Sequence, residues 1–286
     1  MSPLVSVVVP SYNHAHFLPR ALDSVKRQGW TNWEVLIVDN HSTDDTDKVL
    51  QPYLNEQIRL IKIHNHGVIA ASRNLGIRQA RGEWIAFLDS DDWWTDDKLQ
   101  SSMQLALAGA DVIYHDLTMV GLDGKKRPWR RSRSRPLGRH AHEVLWRDGC
   151  ALPNSSVVVR KARLDAVGGL REDADMVGWE DYDTWLRLAS SGCSFHRLSG
   201  AHGYYWVGGG SVSNPRRTLA NIDAFIARHV DGKTQSAPWW CHYSRAVAFG
   251  MLGQRDQVGP SFAAAWRSGP GPWNRLRIAC KWLLTR

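Results

Sequence analysis

The densest chemistry in this chain lies between Gly82 and Trp94, which read Gly-Glu-Trp-Ile-Ala-Phe-Leu-Asp-Ser-Asp-Asp-Trp-Trp. An apolar run, Ile85 to Leu88, stops against three acids, Asp89, Asp91 and Asp92. If that run is a buried strand, Asp89 and Asp91 emerge at its carboxyl end, where open α/β sheets place their ligand sites. Residues two apart on extended backbone point the same way, so both carboxylates would face one cleft. Hard oxygen donors of this kind suit Mg²⁺ or Mn²⁺, usually with a diphosphate supplying further oxygens. Taken alone, the same acids also fit a solvated strand-end loop. A second acidic pair, Glu180-Asp181, stands where Tyr182, Trp185, Leu186 and Ala189 begin to recur at helical spacing.

The elements that must position these acids follow from periodicity. Residues 5–9, β-branched but for Ser6, close in Pro10-Ser11-Tyr12-Asn13, which reads as a buried strand ending in a turn. Phe17, Ala21, Leu22 and Val25 share one face of a helix over 17–28. A second strand, 35–38, also ends in an acid, Asp39. Ser42-Thr43-Asp44-Asp45 reads as a cap and acidic first turn for the next helix. A third strand is expected over 58–63 and a helix over 68–81, with Gly82 just past its end. Strand alternating with helix in this order predicts an α/β fold built on a mostly parallel sheet covered by helices.

At this point the residues resemble a family. Val-Ser-Val-Val-Val-Pro-Ser-Tyr-Asn (5–13), Val-Leu-Ile-Val-Asp-Asn-His-Ser-Thr-Asp (35–44), Ala-Ser-Arg-Asn-Leu-Gly (71–76) and Phe-Leu-Asp-Ser-Asp-Asp (87–92) resemble the inverting family-2 glycosyltransferases. Gly-Trp-Glu-Asp-Tyr-Asp-Thr-Trp-Leu-Arg-Leu (178–188) resembles the Glu-Asp element of that family. The five pieces keep the family's order over roughly residues 4–213. The resemblance implies a GT-A fold: a Rossmann-like nucleotide-binding mixed sheet flanked by helices, here with a partly helical C-terminal extension. It also implies a nucleotide-diphospho-sugar donor, a divalent cation (Mn²⁺ or Mg²⁺) and inversion at the anomeric carbon.

Residue by residue, the resemblance assigns the donor site to Pro10, Ser11, Tyr12, Asn13, Asp39, Arg73, Asp89, Ser90 and Asp91. Asp39 would accept from the N–H of uracil or thymine, implying a UDP- or dTDP-sugar. Pro10, Ser11 and Tyr12 would wall and stack on the base, and Arg73 would approach the diphosphate or base with its forked donors. Asp89 would bind the ribose and Asp91 the metal, with Asp89 and His202 as further metal candidates. Asp181 is the expected general base, taking the acceptor hydroxyl's proton as that oxygen attacks the sugar. Glu180 and Trp179 are expected at the acceptor, although an acidic helix start and a packed core Trp are plain alternatives. Two departures stand out. Asp39-Asn40-His41-Ser42 replaces the usual Asp-Asp-Gly-Ser, and the stretch from Tyr205 to Ser213 lacks the Arg and His that many relatives carry. Its Gly208, Gly209 and Gly210 suggest a loop able to close over the donor.

The chain has 286 residues, a net charge of +8 and 15 Trp. This organisation predicts a catalytic domain over 1–213, with a nucleotide-sugar half (1–116), an acceptor half (137–213) and a basic loop between them (121–136). A C-terminal extension over 214–286 would follow. An export signal is not expected, since Val5 already belongs to a strand, and no apolar run approaches the roughly 20 residues that span a bilayer. Cys150, Cys193, Cys241 and Cys280 lack metal or redox spacing, which fits free thiols in a cytoplasmic protein. Lys125, Lys126, Arg127, Arg130, Arg131, Arg133 and Arg135 surround Trp129 in the basic loop. A second cluster interleaves Arg275, Arg277, Lys281 and Arg286 with Trp273, Leu276, Trp282, Leu283 and Leu284, which suits peripheral contact with an anionic membrane on its inner face. A capping helix with solvated charges is the alternative. Nucleic-acid binding by the basic loop is disfavoured by the acidic cleft, and a sugar-binding protein without catalysis by retention of every expected acid. The acceptor is expected to be a saccharide or lipid-linked glycan of a cell-surface polysaccharide.

Overall fold

The structure, a computed structural model, describes residues 2–132, 134–150, 152–208, 214–230 and 236–285. Along the chain, β1 (Val5–Ser11), α1 (Leu18–Lys26), β2 (Trp33–Asp39), α2 (Thr46–Leu50), β3 (Ile58–Lys62), α3 (Ile69–Gln79) and β4 (Trp84–Phe87) alternate as expected. Then come β5 (Trp93–Trp94), α4 (Lys98–Leu107), β6 (Val112–Gly121), β7 (Lys126–Arg131), α5 (Ala141–Asp148), β8 (Val158–Arg160) and α6 (Lys161–Ala166). The rest is α7 (Glu180–Ser190), β9 (Phe195–Val207), α8 (Pro215–His229), α9 (Trp239–Met251), α10 (Arg255–Arg267) and α11 (Pro272–Leu283).

The strands form one sheet in the order β3-β2-β1-β4-β8-β6-β9-β5, with β7 paired to β6. β1, β2, β3 and β4 are mutually parallel, and β8 runs antiparallel between β4 and β6. The sheet is therefore mixed, as the GT-A expectation requires. Its continuous apolar strands follow from burial on both faces. Val5, Val7 and Val9 pack with Leu18, Leu22 and Val25 of α1, while Val8 faces α3. There a Cβ on Gly76 would sit 2.6 Å from a Val8 methyl. That close approach admits only glycine and seats α3 hard against β1, one helical turn from Arg73.

β1 continues two residues past the predicted strand end, through Pro10 and Ser11. Ser11 O accepts from Asn40 N (2.9 Å) and Val8 O from Leu88 N (3.1 Å), so odd residues bond toward β2 and even ones toward β4. Pro10 falls on the β4 side, beyond the last β4 pair at Phe87. Its missing N–H leaves no ladder bond unmade.

Contacts divide the chain into two compact units, not by the single cut expected near residue 213. The first comprises Met1–His142, Cys150–Glu172 and Glu180–Gly209; the second comprises Glu143–Gly149, Asp173–Trp179 and Gly210–Arg286. The expected basic loop is also corrected: Lys126–Arg131 is strand β7, paired antiparallel with β6. In the second unit, Trp239, Ala246, Val258, Phe262, Ala265 and Ile278 form a core between α9, α10 and α11. Asn214 caps α8 by accepting from Arg217 N at 2.9 Å, with Pro215 in the first turn. Residues 209–213, which include Gly209 and Gly210 of the expected closing loop and the serines at 211 and 213, lie outside the described residues, as do Arg133 and Arg286. All four cysteines are free thiols.

Candidate active site

The site is built at the carboxyl ends of β1, β2 and β4, within the first unit. Asp39, the last residue of β2, is fully buried. Its carboxylate accepts from Ser42 N (2.9 Å), from Ser42 Oγ and from Lys62 Nζ (2.9 Å). Lys62 ends β3 directly opposite Asp39 in the parallel register. Burial alone would lower the Lys62 ammonium, but Asp47 and Asp39 hold it above its ordinary range. The neighbouring loops are tied together by local bonds. Asn13, in the left-handed region (φ 54°), donates its N–H to Ser42 Oγ at 2.8 Å and accepts from Thr43 N at 2.8 Å. Asn40 accepts from Asn65 N at 2.9 Å. His41, also left-handed, stacks on His64 at 3.8 Å. These ties hold His41 at the left-handed position where the family resemblance leads one to expect Gly, a backbone region that His enters more readily than most side chains.

The three acids after β4 are arranged by a tight turn and not by the predicted extended backbone. Asp92 N donates to Asp89 O at 3.0 Å, closing a tight turn. Asp91 is pushed up to about 6 by burial and then by Asp89. Asp92 is buried and raised well above the carboxylate range by burial, Asp91 and Asp89; its Oδ1 accepts from Trp206 N at 3.0 Å. The third acid thus anchors β9, leaving Asp89 and Asp91 for ligands. Ser90 Oγ shares a 2.6 Å hydrogen bond with His14 Nδ1, and burial followed by His16 keeps that imidazole below its ordinary pKa. Arg20 donates to Asp91 O at 3.0 Å and lies 3.6 Å from the Trp93 ring centroid. From the other side, Ser155 Oγ receives the Asp89 N–H (3.1 Å), and Asn154 Nδ2 donates to Asp89 Oδ1 (3.2 Å).

Arg73 links this turn to the Glu-Asp element. It donates from Nη2 to Asp89 Oδ1 at 2.7 Å and from Nη1 to Glu180 Oε1 at 2.6 Å, almost wholly out of solvent. Burial opposes the charge, yet Asp89 and Glu180 hold the guanidinium above its usual value. Next to this bridge, Asp181 is the second residue of α7 and accepts from Tyr182 N at 2.7 Å. Burial and then Glu180 push its carboxyl up to about 7, against a downward pull from Arg73. Asp183 takes no part, being fully buried and paired with Arg187 (2.7 Å) and Arg171 (3.3 Å). Tyr205 completes the wall: burial, then Asp92, Asp89, Asp91 and Asp181, push its phenol up to about 12.

Of the residues singled out by sequence, Asp89, Ser90, Asp91, Glu180, Asp181 and Arg73 therefore converge. Pro10, Ser11, Tyr12, Asn13 and Asp39 line the adjoining strand ends, with Tyr12 53% exposed and open to a stacking partner. Three of the expected residues have partners within the protein. Arg73, expected at the diphosphate or base, has each terminal nitrogen hydrogen-bonded to a protein carboxylate and so also braces the site. His202 meets Asp97 Oδ2 through Nδ1 (3.0 Å) and the Ser199 carbonyl through Nε2 (3.0 Å), which uses up both ring nitrogens. Trp179 belongs to the second unit, where its ring packs 5.6 Å from Trp240 and 6.0 Å from Phe225. Lys62, His14, Asn154, Ser155 and Tyr205 were not legible as site residues. Lys62 had a usable signal, a lone cation ending the strand beside Asp39; Asn154 and Ser155 had a fainter one, a Ser/Asn triplet leading into a strand.

The donor set fits a hard divalent cation only in part. Asp89 and Asp91 supply carboxylate oxygens at one turn. Among the described residues no group of three or more His, Cys, Asp or Glu side chains is arranged to hold a metal by itself. Further ligands would have to come from a phosphorylated substrate.

Comparison with known proteins bears directly on this arrangement. The family model described as Glycosyl transferase family 2 matches residues 6–162, more than half of the chain. TuaG of Bacillus subtilis, named as a teichuronic acid biosynthesis glycosyltransferase, is 28% identical over 250 residues, covering 84% of this chain and 93% of its own. WfaP of Escherichia coli, named as a UDP-Glc:alpha-D-GlcNAc-diphosphoundecaprenol beta-1,3-glucosyltransferase, is 28% identical over 210 residues, covering 73% and 80%. Among solved structures, S. aureus TarS 1-349 in complex with UDP-GlcNAc aligns with a TM-score of 0.66 at 20% identity, over 93% of this chain and 81% of that one. The mannosyltransferase PcManGT from Pyrobaculum calidifontis, in complex with GDP-Man and Mn²⁺, aligns with a TM-score of 0.63 at 20% identity, over 100% and 81%. At such identities the structural likeness establishes the GT-A fold alone.

Proposed function

The chain belongs to glycosyl transferase family 2, and from that premise we propose that it moves a sugar from a UDP-sugar, with dTDP-sugar as the rival, to a hydroxyl of a glycan or lipid-linked saccharide. The transfer is a single displacement with inversion. The observation that carries this reading is geometric: Asp181 stands next to Glu180, which Arg73 bridges to Asp89 at 2.6 and 2.7 Å, and burial followed by Glu180 raises the Asp181 carboxyl to about 7. A base poised near neutral pH accepts a hydroxyl proton and holds it with little driving force lost either way. Arg73 keeps Glu180, and with it the start of α7, in fixed register with the donor-side acids.

The chain's other residues have consistent tasks. A carboxylate offers about four acceptor positions; Ser42 and Lys62 take three on Asp39, leaving one for the imide N–H of uracil or thymine. Tyr12 offers an exposed ring for that base. Asp89 Oδ2 would meet the ribose. Asp91 and Asp89 would hold Mg²⁺ or Mn²⁺ together with the diphosphate. When bound, such an ion offsets the charge on the departing nucleoside diphosphate. WfaP, named for a UDP-glucose donor and a diphosphoundecaprenol acceptor, supports a lipid-borne acceptor in polysaccharide synthesis, which would bring this chain to the cytoplasmic face of a membrane.

Calorimetry tests the donor. UDP should bind more tightly than GDP or ADP, and EDTA should weaken it. Preference for GDP, or indifference to EDTA, overturns the assignment of Asp39 and Asp91. Transfer that retains the anomeric configuration rules out the single displacement.

A further inference from the structure

The second unit exposes a feature that its own packing does not require. α11 has two apolar faces. One turns inward: Ile278 is fully buried in the core with Phe262, and Trp282 stacks on Phe262 at 6.0 Å. The other is open to solvent, with Trp273 82%, Leu276 56%, Leu283 72% and Leu284 82% exposed, and Cys280 exposed between them. At about 100° per residue these five positions fall within an arc of about 100° on the helix, opposite Ile278 and Trp282. Leaving four large side chains on one stripe uncovered is costly in water and marks a contact surface.

Charge narrows the partner. After Asp256 the chain carries no acid, while Arg267, Arg275, Arg277, Lys281 and Arg286 follow. Arg277 and Lys281 border the stripe, and the Arg275 guanidinium lies over the Trp266 ring at 5.5 Å, holding a cation beside a half-exposed indole. A second copy of this face would oppose like charges with no carboxylate to pair them. Nucleic acid would meet the cations but leave the leucines wet. An anionic bilayer interface satisfies both, taking Trp at the headgroup level, leucines at the acyl boundary and cations at lipid phosphates.

We infer that the outer face of α11, centred on Leu276, Cys280 and Leu283, is a docking surface for an anionic membrane, with the helix lying in the plane of the interface. This deepens the proposed use of a lipid-borne acceptor and rests on that reading for its purpose, though not for its physics. No helix among the described residues is long and apolar enough to cross a membrane.

The test uses the full chain with Cys150→Ser, which leaves Cys280 as the exposed thiol for a polarity-sensitive dye. On vesicles of phosphatidylcholine with about one-third phosphatidylglycerol, the dye should shift to the blue. Co-sedimentation should fall about tenfold or more when salt is raised from roughly 50 to 500 mM, and about tenfold or more in the unlabelled Leu276→Asp/Leu283→Asp variant. Both leucines are more than half exposed, so the variant should retain its fold and its UDP affinity. An unshifted dye, co-sedimentation of the variant equal to wild type, or a dimer that the variant dissociates without any vesicle binding overturns the inference. Transfer to a water-soluble acceptor separates the two readings: transfer without vesicle binding sinks this one alone, and vesicle binding without transfer sinks the enzymatic one alone.

Discussion

Replacing Arg73 with Met removes the cation shared by Asp89 and Glu180 while keeping most of its volume. Arg73 and Glu180 are each 5% exposed as side chains, and Asp89 is 27% exposed. Taking one partner from a buried pair typically costs about 3–5 kcal/mol, because the remaining charge is left without solvent or counter-ion. Asp89 can rehydrate in part and Glu180 cannot, so the lower end, about 3 kcal/mol, is expected. Urea denaturation followed by circular dichroism measures it. Glu180→Gln in the same background should recover about 1 kcal/mol or more, since it removes the stranded charge. Arg73 also pulls the Asp181 pKa down from above, so the acid limb of the pH–rate profile should move to higher pH in Arg73→Met. A variant within about 1 kcal/mol of wild type, with that limb unmoved, refutes the bridge as the link between donor acids and base.

The remaining predictions concern the base, the metal acid and one core residue. Asp181→Asn should keep UDP affinity and lose roughly 10²–10⁴ in turnover; a wild-type rate would place the base elsewhere. In wild type, turnover should rise with pH through about 7 as Asp181 deprotonates, and the residual activity of Asp181→Asn should lack that limb. Asp91→Ala should weaken UDP binding in Mn²⁺ and leave the weaker binding in EDTA unchanged, as read by calorimetry. Lys98 is fully buried, its Nζ has no hydrogen-bond partner among the described residues and sits 3.9 Å from the Trp94 centroid, and burial lowers its pKa well below 10.5. Between that lowered value and about 10.5 the unfolded chain binds the extra proton, so stability rises with pH. Lys98→Met should flatten that rise and add about 1–3 kcal/mol at pH 7; a destabilised variant would mean that the amine has a hidden partner.

Strand–helix alternation, the acids closing β2 and β4, and α7 starting at Glu180 were all legible in sequence, because each rests on local periodicity or on a residue's place at an element's end. A β-branched run buried on both faces needs no partner to be recognised as a strand. Even locally there were limits. Pro10 read as a strand terminator, yet β1 runs through it, since only the neighbouring strand's length reveals that its absent N–H faces no acceptor. The acids at 89 and 91 were expected side by side on extended backbone, and the turn closed by Asp92 instead gives each its own environment. What the tertiary structure alone decided is how distant residues share their charges. Arg73 and Glu180 stand 107 residues apart, Asp89 and Asn154 65, and Asp92 and Trp206 114. Side-chain type and spacing identify groups able to donate, accept or ionise. Which of them remain available to a ligand depends on which partners the fold has already supplied: Arg73 meets two carboxylates and His202 meets Asp97 and the Ser199 carbonyl, while the Asp91 and Asp181 carboxyls are raised by burial and by acids brought close in the folded chain.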